Sequence, residues 1–158
     1  MLRETDHVRV SARADYAVRA LTELAARGDE AVTAESISRA QGVPLKFLLG
    51  ILGELRRAGL VRSQRGPSGG YLLDRAPGDI TIADVMRAVD GPLASVQDAK
   101  PEDVSYPGPA ARLQDVWIAV RASLRLVLEE VTIGHLLAGK LPAEVEALTK
   151  SEDAWARR

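Results

Sequence analysis

Between Ser11 and Gly28 the apolar residues fall at 14, 17, 18, 21, 24 and 25, which is the spacing of one helix face, with Ser11 placed to cap it and Gly28 to stop it. Thr33 opens a second, short helix, AESISRAQ, closed by Gly42. Pro44 stands where a first helical turn accepts proline, ahead of LKFLLGILGELRRAG. Two helices joined by so tight a turn predict a helix-turn-helix. After Gly59 the pattern changes to two short strands, LVRSQ and GYLLD, around RGPSG, a hairpin with a long glycine-rich tip. Three helices followed by a hairpin give the order of a winged helix.

Thr81 and Asp84 form a capping box for IADVMRAVDG. Residues 91–109 hold four prolines and scattered acids, and read as a loop. From about Ala110 the apolar positions Leu113, Val116, Trp117, Val120, Leu124, Val127, Leu128 and Val131 keep helical spacing, which predicts a long helix with one continuous apolar face. A short helix after Thr132 follows, and the tail 141–158 reads as flexible. The expected fold is mainly α with a small β-hairpin wing. It divides into a winged helix-turn-helix domain over 9–90, the loop 91–109, the long and short helices over 110–140, and the tail.

On a helical wheel of the second helix of the helix-turn-helix, Phe47, Leu48, Ile51, Leu52, Leu55 and Ala58 share one side, and Lys46, Gly50, Gly53 and Arg57 the other. Glycine costs a helix interior about 1 kcal/mol relative to alanine, so two on one outward face call for a reason. Close approach to a groove wall is one; a solvated face with chance glycines is the alternative. In a groove, Lys46 reaches a base edge or a phosphate, Leu45 or Leu49 a thymine methyl, and Arg56 and Arg57 hold phosphates. A hairpin tip beside such a helix can lie along the minor groove, with Arg65 inserted and the backbone N–H groups of Gly66 to Gly70 at phosphates. Otherwise the tip is a solvent hairpin. It lacks the G-K-[ST] ending and the strand-to-helix setting of a nucleotide-binding loop.

Charge supports this placement only when read locally. The formal net charge of the 158 residues is -1. Residues 1–75 carry 12 Lys and Arg against 9 Asp and Glu, whereas 76–158 carry 9 against 13. From Arg39 to Arg65 there are six bases (Arg39, Lys46, Arg56, Arg57, Arg62 and Arg65) and one acid, Glu54. Cysteine is absent, which removes disulfides, thiolate nucleophiles and cysteine-ligated metal or iron–sulfur centres. The only histidines, His7 and His135, show no metal spacing, so no metal site is expected. The N-terminus has no apolar signal core and no run approaches the ~20 residues that span a bilayer, so a cytoplasmic protein without a membrane partner is expected.

The stretches DYAVRAL (15–21), Val43 to Leu55, AGLVRSQRGPSGGYLL (58–73) and ITIADVMRAVDGPL (80–93) together resemble the Rrf-type family of bacterial winged-helix regulators, the group that includes IscR, NsrR and CymR. The resemblance runs in order over roughly residues 9–138. It implies a homodimeric transcription regulator, usually a repressor, that binds a palindromic operator on double-stranded DNA. The family's recognition-helix contacts then fall on Pro44, Leu45, Lys46, Phe47 and Leu49, beside Gly50, Gly53, Arg56 and Arg57. Its minor-groove wing arginine falls on Arg65, beside the tip residues Gly66, Ser68 and Gly69. Leu49 stands where some relatives carry an acid, which implies a different operator sequence. The long helix corresponds to the family's dimerisation helix, although packing on its own domain would give the same pattern.

Iron–sulfur members of the family carry three cysteines in the loop equivalent to 91–109, and this loop has none, so a cluster with that ligation is excluded. Asp15 occupies a position from which some relatives supply an acidic ligand; without thiolates it reads as a cap-region or phosphate-neighbour charge. Two kinds of control remain: a small-molecule effector lodged near Tyr106 and Trp117, or a protein partner on the acidic C-terminal half. The alternative for Trp117 is dimer core alone. A winged helix can also serve as a protein-interaction module without DNA, against which the basic patch argues. No nucleophile, base and orienting group are recognisable together, so an enzyme is not expected.

Overall fold

The computed structural model describes residues 10–157. Helix α1 (Ala12–Arg27) begins where the Ser11 hydroxyl accepts the Ala14 N–H, and ends at Gly28 with φ +60°. Its buried face is Ala14, Ala17, Ala20, Leu21, Leu24 and Ala25. Four alanines on that face let the other helices approach closely. Helix α2 (Ala34–Gln41) is capped by Thr33 and terminated by left-handed Gly42. Helix α3 (Leu45–Arg57) follows at once, with Pro44 at its N-cap.

The turn between α2 and α3 is held from three sides. The Ser38 hydroxyl donates to the Val43 carbonyl at 2.6 Å, and the Val43 N–H donates to the Ser38 carbonyl at 3.2 Å. Arg19 of α1 donates to the Gln41 carbonyl while pairing with Asp15 and lying 5.6 Å above the Tyr16 ring. Val43 itself is buried. The angle between α2 and α3 is therefore fixed by backbone partners and one core side chain.

Strands β1 (Val61–Gln64) and β2 (Gly70–Leu73) pair antiparallel with Val61 opposite Leu73 and Gln64 opposite Gly70. Val32 exchanges both backbone hydrogen bonds with Tyr71, so the loop after α1 forms a short third edge to the wing. Helix α4 (Ile82–Asp90) starts in the expected reciprocal box of Thr81 and Asp84, both bonds at 3.0 Å. The core joins Leu21 and Leu24 of α1, Ile37 of α2, Leu48, Ile51, Leu52 and Leu55 of α3, and Leu60, Val61, Ile80 and Val85. Cutting one of these leucines to alanine costs about 2 to 5 kcal/mol.

Two expectations change. The winged-helix core does not stop at residue 90. After helix α5 (Leu113–Leu128) the chain returns, Ile82 donates to the Val131 carbonyl and Ile133 to that of Ile80, each at 2.9 Å, and Ile133 is fully buried in the same core. Helix α6 (Ile133–Ala138) packs on α1 from there. Val131, read as the last residue of the long helix stripe, lies beyond α5 and is buried. The tail expected to be flexible carries helices α7 (Ala143–Leu148), with Val145 buried, and α8 (Glu152–Trp155). Loop 91–109 also has local order: a tight turn at Gln97 and Asp98 between the bridged Val96 and Ala99, and a 3-10 turn at Pro101–Asp103.

Candidate nucleic-acid interface

The buried side of α3 is Leu48, Ile51, Leu52 and Leu55. Phe47 and Ala58, grouped with them on the helical wheel, are exposed, Phe47 by 59%. The wheel fails there because α3 buries a stripe narrower than half its circumference, and Phe47 lies at its edge. The outward face thus presents Lys46, Phe47, Leu49, Gly50, Arg56 and Arg57 in the open, with Leu45 and Gly53 half-buried. Among the described residues no atom lies within 4 Å of a Cβ built at Gly50, whereas one at Gly53 would meet the Arg57 guanidinium at 3.7 Å. Nothing within the protein requires glycine at position 50.

Lys46, Arg56, Arg57 and Arg65 form no ion pair with a described residue. Glu54, the single acid of this stretch, is bound by the Arg13 guanidinium of α1. That pairing leaves the patch positive. Arg62 points along the wing toward Asp74, with the charged atoms 4.0 Å apart.

At the wing tip, Arg65, Gly66, Pro67 and Ser68 are exposed. The Gly69 N–H donates to the Gly66 carbonyl at 2.9 Å and so is spent within the turn. Since Pro67 has no N–H, the idea that all the amides from Gly66 to Gly70 face phosphates narrows: Gly69 shapes the tip, and Gly66 and Ser68 remain as donors. A Cβ at Gly69 would collide with the Gln64 and Gly66 carbonyl oxygens, and one at Gly70 (φ +149°) with the Val32 backbone. Both glycines are needed for the hairpin to close and to sit against the loop after α1.

Helix α5 contains no buried residue. Of the apolar stripe read for dimerisation, Leu113, Trp117, Val120, Leu124, Val127 and Leu128 are half-buried, and Val116 is exposed. Their cover includes the arm's own loop. The Gln114 amide donates to the carbonyls of Val104 at 2.7 Å and Glu102 at 3.1 Å, the Trp117 indole N–H donates to the Tyr106 hydroxyl at 2.9 Å, and Arg121 pairs with Glu102. Hydrogen bonds from its own backbone N–H and then from Arg121 hold the Glu102 carboxyl below its ordinary pKa. The free face lies elsewhere, with Ile118 and Leu126 beside Ala122 in a shallow groove also lined by Arg121, Arg125, Glu129 and Glu130. Neither Ile118 nor Leu126 belonged to the predicted stripe. Their spacing of eight, bridged by Ala122, was the available signal.

Tyr106 and Trp117, candidates for an effector site, are thus bonded to each other. Neither the α5 groove nor the concavity lined by Ala58, Leu60, Arg75, Asp84, Arg87 and Ala88 includes them. His135 serves its own helix: its Nδ1 accepts the Thr132 N–H at 3.0 Å while the Thr132 hydroxyl accepts the His135 N–H. His7 lies outside the described residues. Asp15 is engaged by Arg19 at 3.1 Å. Among the described residues no helix is long and apolar enough to cross a membrane.

Comparison with known proteins agrees with this geometry. Residues 10–139 match the Rrf2 family model, described as an iron-dependent transcriptional regulator. A Mycobacterium tuberculosis protein, provisionally named an HTH-type transcriptional regulator, is 50% identical over 142 residues, 89% of this chain and 88% of its own. The structure of CymR, named the global cysteine regulator of B. subtilis, superimposes with a TM-score of 0.71 at 31% identity, covering 84% of this chain and 98% of that one. The structure of IscR from T. potens gives 0.68 at 30% identity, covering 94% and 96%. The iron in the family description finds no thiolate here, since the chain has no cysteine, and no three His, Asp or Glu side chains gather among the described residues. With its helix-turn-helix, its wing and a family match over most of its length, the chain belongs to the Rrf2 family of transcriptional regulators.

Proposed function

We propose that this protein represses transcription by binding a palindromic operator as a homodimer, with α3 in the major groove and Arg65 in the minor groove. The observation that carries the reading is the exposed set Lys46, Arg56, Arg57 and Arg65, none of which forms an ion pair with a described residue, with the intervening acid Glu54 held by Arg13. Such a surface gains affinity by releasing counterions from phosphates. The exposed face of α5 supports the dimer. Ile118 and Leu126 offer apolar contact, and Arg125 precedes Glu130 along the same groove, while Arg121 and Glu129 are held by Glu102 and Arg87. An antiparallel copy of α5 would set bases against acids on both sides of a two-fold axis. Because no thiolate is present, this reading routes no signal through a cysteine-ligated cluster.

The test is selection of bound sequences from a random duplex pool with the purified full chain, followed by affinity for the winner across a salt series. The reading expects an inverted repeat with half-sites separated by whole helical turns, and affinity falling steeply with salt. Recovery of no sequence, with no salt-dependent duplex binding, would instead favour a winged helix used for protein contacts.

A further inference from the structure

The side chains that α3 presents outward are unusually restricted in their chemistry. Through its first two turns they are Leu45, Lys46, Phe47, Leu49 and Gly50. Lysine only donates hydrogen bonds, and the others form none. Nearby side chains with acceptor atoms are held within the protein: Glu54 by the Arg13 guanidinium, Gln41 through its amide N–H to Glu23, and Ser38 through its hydroxyl to the Val43 carbonyl. The amino groups of adenine and cytosine in the major groove require an acceptor. Guanine offers acceptors there, and thymine offers one acceptor and a methyl group.

We propose that α3 reads its operator through the 5-methyl group of thymine, with the exposed Leu49 and Phe47 as specificity-determining residues and Lys46 as the accompanying donor to guanine or to thymine O4. This rests on the DNA-binding reading above and deepens it. Leu49 is 48% exposed and Phe47 59%, on the two shoulders of the stripe formed by Lys46 and the open Gly50. Leaving such side chains in water is unfavourable, and Lys46, Arg56 and Arg57 draw the phosphates that would bring a groove against them. The absence of a Cβ at Gly50 lets the helix axis come near enough for side chains as short as leucine to touch the groove floor. The half-site strand facing α3 is therefore rich in thymine and guanine.

The experiment uses the operator obtained by random selection and the full chain. Each thymine is replaced singly by deoxyuridine, which deletes only the methyl group. At the one or two contacted thymines per half-site, affinity falls about fourfold per methyl and about fifteenfold when both half-sites are altered. Cytosine at such a position weakens binding, and 5-methylcytosine recovers part of the loss. Leu49→Ala and Phe47→Ala, both exposed and so expected to melt with the parent protein, each remove the uracil penalty at one position. A selected operator indifferent to deoxyuridine at every position would overturn the proposal. So would a uracil penalty of the same size in both alanine variants. Failure to select any sequence, together with absence of salt-dependent duplex binding, would overturn the DNA-binding reading itself, an outcome distinct from the first two.

Discussion

Arg13, in the first turn of α1, binds Glu54 near the end of α3, across a sequence separation of 41 residues. The pair is partly exposed, so it contributes at most about 1 kcal/mol to stability. Its larger effect is on the field in front of α3. Glu54→Gln should strengthen binding to random duplex, and Arg13→Ala should weaken it, because an unpaired carboxylate then faces the phosphates. Fluorescence anisotropy at two salt concentrations measures both. Equal affinities for the three proteins would show that this end of α3 does not approach DNA.

Arg65 is exposed at the wing tip and has no ion-pair partner among the described residues. Arg65→Ala should cost about 1 to 3 kcal/mol of operator binding, with the larger loss on A·T-flanked sites. Retained affinity on both kinds of site would remove the wing from the interface.

Two glycines should respond to alanine in opposite directions. Gly50 is helical and surrounded by open space, so Gly50→Ala should raise the unfolding free energy by about 1 kcal/mol while weakening operator binding. Gly70 has φ +149°, and its Cβ would strike the Val32 backbone. Gly70→Ala should destabilise the wing by about 1 to 3 kcal/mol. Chemical denaturation of the two variants against the parent decides both.

Leu126 is 58% exposed in the α5 groove. Leu126→Asp should leave the protomer folded and produce monomers, with loss of the tightest DNA complex. Sedimentation velocity reads the mass directly. A dimer that persists would move the interface off this face.

The Glu102 contact with Arg121 should be pH-dependent. Because the folded carboxyl has a lowered pKa, its stabilising effect is complete above the ordinary value of 4.5 and disappears as pH falls through the lowered value. In a Trp155→Phe background, Trp117 emission should hold steady from neutral pH down to that range and then shift as the loop leaves α5. A Glu102→Gln variant should show no such step.

The winged helix was legible because its signals are local. Ser11, Thr33 and Thr81 cap helices as their spacing predicts, and Gly28 and Gly42 stop them. The strands of the wing fall within a residue of their expected ends. What escaped was set by contacts distant in sequence. Nothing near Val131 announces that its carbonyl will accept from Ile82, so the domain was closed too early at residue 90. Phe47 was placed inward because periodicity gives a direction without giving the width of the buried stripe. The α5 stripe had the right period, but its cover includes the arm's own loop, and Ile118 and Leu126 carry the exposed face.

The chain leaves the winged-helix core after α4 and re-enters it where Thr81 pairs with Thr132, so the stretch from Gly91 to Glu130 is an excursion that returns beside the segment from which α4 starts. An element attached in this way behaves as a graft. Its length and sequence can change without rebuilding the winged helix, and a push on it arrives at Ile80 and Ile82, the backbone partners of Ile133 and Val131. A chain without cysteine can then keep the winged helix of its family while carrying a different segment between α4 and α6.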